Sequence, residues 1–360
     1  MRNSLLLAFV IFFIIGCKPT FNKSLTSYII GSNDIRVLAD PAGINFNDLA
    51  YSSSVVIITD LSPTKKKYCS GTLIQSSTEG GNYRILTNFH CFLPDENLSS
   101  DILAGHCSST RVYHGFFKPN MDRVFKTKCK VTGDFSWNVE GDLALFEIEE
   151  NPSIKDSEGN ELYRPANLQK VFDTSYPTNA MLVHYPFIDQ LRDDYLELTH
   201  LDQDSGIRIP YGQVTDQNCK VEGIFDQNEW QYDAALSMGI KHDCDQQKGS
   251  SGSALWRFGS SEIIGINWGG IKLKYSNENS ERVYNVATNI NYGIDFISGN
   301  LREKYASADM VPSGARMTEV QNTEAEEKNK KCGILGAGFS GSLYSYLLLL
   351  PILGVFFRRS

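Results

Sequence analysis

Positive charge is in short supply: the 360-residue sequence sets 34 Lys and Arg against 42 Asp and Glu, a net charge of −8. That balance lacks the basic face of a nucleic-acid groove, so no nucleic-acid partner is expected. Long helical periodicity is scarce and no segment repeats at a fixed period, which disfavours bundles and solenoids. No Cys-x-x-Cys pair occurs, so the usual zinc-ligand spacing is missing, and neither a metal nor an organic cofactor is expected. Hydrophobic and charged fractions of 41% and 21% are ordinary for a folded domain and exclude disordered and collagen-like classes. Long apolar runs occur only at the two ends.

The N-terminal run, Leu5 to Ile15 after Met1-Arg2-Asn3-Ser4, is too short to span a bilayer and reads as a signal peptide. Its end, Ile14-Ile15-Gly16-Cys17, resembles a bacterial lipobox, which implies cleavage after residue 16 and lipidation of Cys17. Lys18 beside it suits onward transport to an outer membrane. At the other end, residues 332–360 read as a transmembrane or sorting tail: Ile334 to Phe357 is uncharged and long enough to span, and Arg358-Arg359 follow. Residues 301–331 are polar and read as a linker. The expectation is an exported protein, anchored by N-terminal lipid, C-terminal tail or both, facing the periplasm or the cell surface.

The interior, residues 28–300, alternates short apolar runs with Gly, Asn, Asp and Pro clusters. Ser54 to Thr59, Tyr83 to Thr87, Leu143 to Ile148, Ala180 to Val183 and Glu262 to Ile266 read as strands. Asn291 to Leu301 is the candidate for a closing helix. The pattern predicts an all-β domain. Of eight cysteines, Cys17 and Cys332 lie at the ends. The others fall in succession as Cys69 and Cys91, Cys107 and Cys129, Cys219 and Cys244. In an exported chain they are expected to be disulfides, and nearest-neighbour pairing would close three modest loops, although cysteine count alone leaves the connectivity open.

The chemistry begins at Cys69-Ser70-Gly71-Thr72-Leu73-Ile74 and Leu86-Thr87-Asn88-Phe89-His90-Cys91. Further on come Glu140-Gly141-Asp142-Leu143-Ala144-Leu145 and Lys248-Gly249-Ser250-Ser251-Gly252-Ser253. A Gly-x-Ser-Gly string alone is weak evidence, and an Asp before an apolar strand is usually a turn residue. In the order His, Asp, Ser, with these flanks, the chain resembles the chymotrypsin/trypsin-like serine proteases. The Gly-x-Ser-Gly-Ser form is similar to the bacterial glutamyl-endopeptidase-like branch, and to lysyl-endopeptidase-like enzymes.

The resemblance implies two packed six-stranded antiparallel β-barrels with a C-terminal helix, and a Cys69–Cys91 bridge. It implies a triad of His90, Asp142 and Ser251, with Asp134 the weaker alternative because no apolar strand follows it. The backbone N–H groups of Gly249 and Ser251 would form the oxyanion hole. Ile264 to Gly270 resembles the strand that pairs with an extended substrate, which places Asn267, Trp268 and Gly269 among the substrate-binding residues. Asp245, six before Ser251, stands where trypsins present a carboxylate to Lys or Arg. Ser250 stands where animal trypsins place the Asp that pairs with a new N-terminal amine, so activation by N-terminal insertion is not expected. The function implied is an exported serine endopeptidase acting on protein or peptide substrates. The alternative is a catalytically silent peptide-binding surface lipoprotein of the same fold.

Overall fold

The computed structural model describes residues 37–38, 48–93, 106–133, 135–171, 176–188, 190, 193–226, 234–274, 281–299 and 303–304. The signal segment with Cys17, most of the 301–331 linker, the 332–360 tail and Asp134 lie outside the described residues. Among the described residues no helix is long and apolar enough to cross a membrane.

Strands dominate. In chain order they are β1 (Val37–Leu38), β2 (Ser54–Ser62), β3 (Lys65–Ile74), β4 (Arg84–Thr87), β5 (Thr110–His114), β6 (Phe125–Lys128), β7 (Phe135–Asn138) and β8 (Leu143–Glu147). After them come β9 (Thr178–His184), β10 (Thr199–Asp202), β11 (Ile207–Pro210), β12 (Gln213–Ile224), β13 (Gly239–His242), β14 (Ala254–Arg257), β15 (Ile263–Lys274), β16 (Glu281–Asn289) and β17 (Glu303–Lys304). The helices are α1 (Leu49–Ser52), α2 (Tyr195–Leu198) and α3 (Ile290–Ile297).

Two antiparallel sheets close on themselves. In the second, the order β12-β13-β16-β15-β14-β9 is completed by pairing of β9 with β12, a closed six-stranded barrel. In the first, β8-β4-β3-β2-β5-β6 closes through the bridge between Cys129 and Ile148, with Lys130 N–H donating to Glu147 O. The three disulfides, Cys69–Cys91, Cys107–Cys129 and Cys219–Cys244, join the pairs expected from their succession.

The near-continuous apolar runs follow from burial on both faces. Along β2, Val55 and Ile57 point into the first barrel with Ile85, Phe146 and the four bridged cysteines. Val56 and Ile58 point the other way, into a shared layer with Leu86, Leu145, Val183, Trp256 and Ile266. β9 mirrors this, with Ala180 and Leu182 inside the second barrel and Met181 and Val183 in the shared layer. Each buried aliphatic side chain contributes roughly 2 kcal/mol, against about 3 kcal/mol for one disulfide. The shared layer therefore holds the barrels together.

α3 begins one residue before the predicted closing helix and ends at Ile297, short of Leu301. Asn289 caps it by accepting from Asn291 N–H, and Ile290 and Phe296 enter the shared layer. The linker reading of 301–331 needs one correction. Glu303 and Lys304 pair with Trp137 and Ser136 of β7, because the edge of that strand offers unpaired backbone groups.

His114 at the end of β5 is fully buried against the rings of Phe125 and Tyr163, and neither ring nitrogen has a hydrogen-bond partner among the described residues. Burial lowers its pKa to about 3. The unfolded chain therefore binds a proton below its ordinary value, near 6.5, that the folded chain refuses. Stability falls as pH falls from there toward 3, by about 2 kcal/mol at pH 5 from this residue. Urea melts from pH 7 to pH 4.5 should show this acid slope, and His114→Leu should remove this residue's share and leave that of the buried His242.

Candidate active site

His90 lies in the short 3₁₀ turn Phe89–Phe92 that ends β4, beside the Cys69–Cys91 bridge. Its Nδ1 is 2.6 Å from Asp142 Oδ2, and its backbone N–H donates to Asp142 Oδ1 at 2.9 Å. Both carboxylate oxygens are thus spent on one residue, which fixes the imidazole's position and its orientation together. The Asp142 side chain is 3% exposed and that of His90 12%, so the pair is largely withdrawn from water while the ring keeps an outlet.

Asp142 carries a left-handed backbone, φ +50°, the one non-glycine residue with positive φ among those described. Such a conformation costs an L-residue roughly 1–2 kcal/mol and persists only where neighbours impose it. Here they do. Asn88 Nδ2 donates to Asp142 O at 2.8 Å, and Gly141 N–H donates to Asn138 Oδ1 at 2.6 Å. From the second barrel, Thr288 Oγ1 donates to Gly141 O at 2.7 Å, and Tyr292 of α3 donates its hydroxyl to Asn138 Oδ1 at 2.8 Å. The turn is gripped from both barrels.

The Ser251 turn is held as tightly. Gly249 and Gly252 have φ of +90° and +88°. A Cβ on Gly252 would run into Thr87 Oγ1 and Ser70 O, so glycine is required for conformation and for space. Ser251 O accepts from Ser70 N–H at 2.8 Å, Gly249 O accepts from Ser70 Oγ at 2.8 Å, and Asn267 O accepts from Gly252 N–H at 2.8 Å. Ser251 is thereby suspended between β3 and β15. Its Oγ reaches Trp268 O at a long 3.5 Å and makes no hydrogen bond to His90. The amides of Gly249 and Ser251 have no hydrogen-bond acceptor among the described residues.

The position before Ser251 supplies a residue pair that sequence reasoning did not connect. Ser250 is fully buried, and its Oγ accepts from Gln247 N–H at 3.1 Å and meets His184 Nδ1 at 2.5 Å. The signal that could have suggested it is a histidine, His184, at the end of an apolar strand.

Of the expected substrate contacts, Trp268 and Gly269 lie on β15, whereas Asn267 spends its side chain internally. Its Nδ2 donates to Ser250 O at 3.1 Å and its Oδ1 lies 3.1 Å from His242 Nε2. His242 is fully buried and burial lowers its pKa to about 4, so it is neutral at ordinary pH. Asp245 is buried behind the Cys219–Cys244 bridge, its carbonyl accepting from Thr215 Oγ1 at 3.2 Å. Beside it Gln246, missed in the sequence, donates from Nε2 to Gly269 O at 2.6 Å. Its buried Oε1 has no partner among the described residues.

Two closed antiparallel barrels, with these turns pinned at their junction, place the domain in the chymotrypsin-like class of folds. Residues 41–285 match the family model described as lysyl endopeptidase, C-terminal domain, and the chain belongs to that family of peptidases. Of the two bacterial branches that the nucleophile motif resembles, the match falls on the lysyl one. No curated protein matches. Among solved structures the chain is similar to Deg5, at 16% identity over 69% of this chain and 89% of that one, TM-score 0.40. It is also similar to the scabies mite inactivated protease paralogue S-D1, at 13% identity over 70% and 95%, TM-score 0.42. A third is the Rv3671c protease from M. tuberculosis in its active form, at 14% identity over 83% and 98%, TM-score 0.38.

Because Asn tolerates left-handed backbone as Asp does, Asp142→Asn should fold within about 1 kcal/mol of the parent. Asp142→Val, β-branched and without an acceptor for His90 N–H, should lose about 3 kcal/mol or more. Denaturant melts of the two variants decide whether the turn imposes the strain.

Proposed function

We propose that the protein is an exported, membrane-anchored serine endopeptidase in which His90, Asp142 and Ser251 act as one unit. The observation that carries this is the two-point grip of Asp142 on His90, which leaves Nε2 as the one ring nitrogen free to take a proton. In the reaction Ser251 Oγ turns from Trp268 O toward His90 Nε2, gives up its proton there and attacks the scissile carbonyl carbon. Asp142 holds the required tautomer and stabilises the imidazolium. The carbonyl oxygen becomes an oxyanion held by the Gly249 and Ser251 amides, donors typically worth about 100- to 1,000-fold each. Collapse breaks the C–N bond as His90 returns the proton to the leaving amine, and water repeats the sequence to release the acid.

The buried His184–Ser250 hydrogen bond supports a turn that stands without an inserted N-terminus. That agrees with an N-terminal Cys17 committed to lipid. Preference for lysine before the scissile bond is supported by family membership and by the two acceptor-bearing residues, Asp245 and Gln246, placed together. Gln246 Oε1 lacks a partner, and an ammonium would supply one. A neutral His242 offers no cation for a glutamate side chain, which argues against the glutamyl preference. Residues 1–17 and 332–360 keep the roles read from their sequence, lipid anchor and tail.

A fluorophosphonate probe should label the parent at Ser251 and leave Ser251→Ala unlabelled. Ser251→Ala and His90→Ala should each lower peptide cleavage by about 10⁴-fold or more, with the double variant little worse. A folded parent that neither labels nor cleaves would instead favour the silent peptide-binding reading.

Asp245→Ser should reduce kcat/KM for lysyl substrates by at least about 100-fold while changing the small activity on apolar ones much less. Equal losses on both would remove Asp245 from the pocket.

A further inference from the structure

Beside the Ser251 turn lies a cleft of about 510 Å³ that the reading above does not use. Its lining includes Lys66, Tyr68, Phe187, Ile188, Tyr195 and Arg208. Two neighbours fix its place relative to the chemistry. Tyr68 precedes Cys69, whose bridge runs to the residue after His90. Phe187 N–H donates to Lys248 O at 2.5 Å, immediately before Gly249. Ser251 hangs between Ser70 of β3 and Trp268 of β15. A peptide whose acyl part lies along Trp268 and Gly269 therefore departs on the β3 side, past Tyr68 and Phe187. At about 3.3 Å per extended residue, the second and third residues after the scissile bond reach about 7–10 Å along that path.

We propose that this cleft is a leaving-group subsite that takes an aromatic side chain followed by a carboxylate. The proposal rests on the endopeptidase reading and adds a second determinant of substrate choice. Tyr68 and Phe187 present rings 5.7 Å apart and tilted by 49°, and Phe187 is 40% exposed. The Arg208 guanidinium sits 5.7 Å from the Tyr195 ring centroid, on the same wall. No Asp or Glu is among the described lining residues; the flanking Asp194 and Glu197 do not line it. Lys66 is paired with Asp60 at 2.7 Å, but the same carboxylate also holds Arg111 at 2.7 Å, so one positive charge there is left over. Aromatic rings and cationic side chains lining one cleft, in a protein of net charge −8, are a local reversal that suits an acidic aromatic segment.

The test uses the full-length protein and two kinds of substrate. A panel of single-residue aminocoumarin amides, which carry no leaving-group residues, reports whether the enzyme is a peptidase and which residue it prefers. Internally quenched peptides built on that residue then carry Phe-Glu, Phe-Gln or Ala-Ala at the second and third positions after the scissile bond. Phe-Glu should exceed Ala-Ala in kcat/KM by about tenfold and Phe-Gln by about threefold, the size of a half-exposed ion pair. Within Arg208→Gln the Phe-Glu to Phe-Gln ratio should fall to about one, and within Phe187→Ala the Phe-Gln to Ala-Ala ratio should shrink; ratios inside one variant cancel any loss of folded enzyme. Amides hydrolysed while all three peptides agree within twofold would overturn the subsite and leave the endopeptidase intact. Hydrolysis of nothing would overturn both.

Discussion

The carboxylate of Asp142 answers to His90 twice, once at the ring and once at the backbone N–H, and much of the architecture serves to keep it there. A carboxylate in a closed site is tolerable only when its oxygens are satisfied, since an unpaired one costs several kcal/mol. Two hydrogen bonds to one residue meet that need and turn the ring at the same time. The cost is a left-handed backbone at residue 142. Asn138, Asn88, Thr288 and Tyr292 offset it with hydrogen bonds drawn from both barrels and from α3.

Such a grip requires that the barrels not slide. Strands buried on both faces supply that rigidity, since Val56 and Ile58 of β2, Met181 and Val183 of β9, and Ala254 and Trp256 of β14 belong to one shared layer. The disulfides act more locally. Cys69–Cys91 lies directly behind His90, and Cys219–Cys244 directly before Asp245, so two of the three staples sit next to residues assigned chemical work. Ser70 links the halves of the site: it holds Ser251 and Gly249 from the second half while its oxygen accepts from Thr87 beside His90's turn. Moving either barrel would shift His90 and Ser251 apart.

The His184–Ser250 contact braces the turn that carries Ser251. A buried carboxylate there would need a buried cation, and desolvating both is expensive. A hydroxyl and an imidazole meet there instead, with no carboxylate to desolvate.

Much was legible in the sequence because it is local. Short alternating runs, flanking cysteines and the three motif segments announced strands, bridges and candidate groups, since each is set by a few adjacent residues. The amino-acid order alone could not reveal what depends on residues far apart in the chain: that Asn267 turns inward to Ser250 and His242, that Ser250 meets His184 across 66 positions, or that Glu303 and Lys304 finish a sheet begun at β7. Nor could it place Lys66, Phe187 and Arg208 around one cleft. Such contacts are decided by how two barrels pack, and packing is a property of surfaces that exist only once the chain has closed on itself.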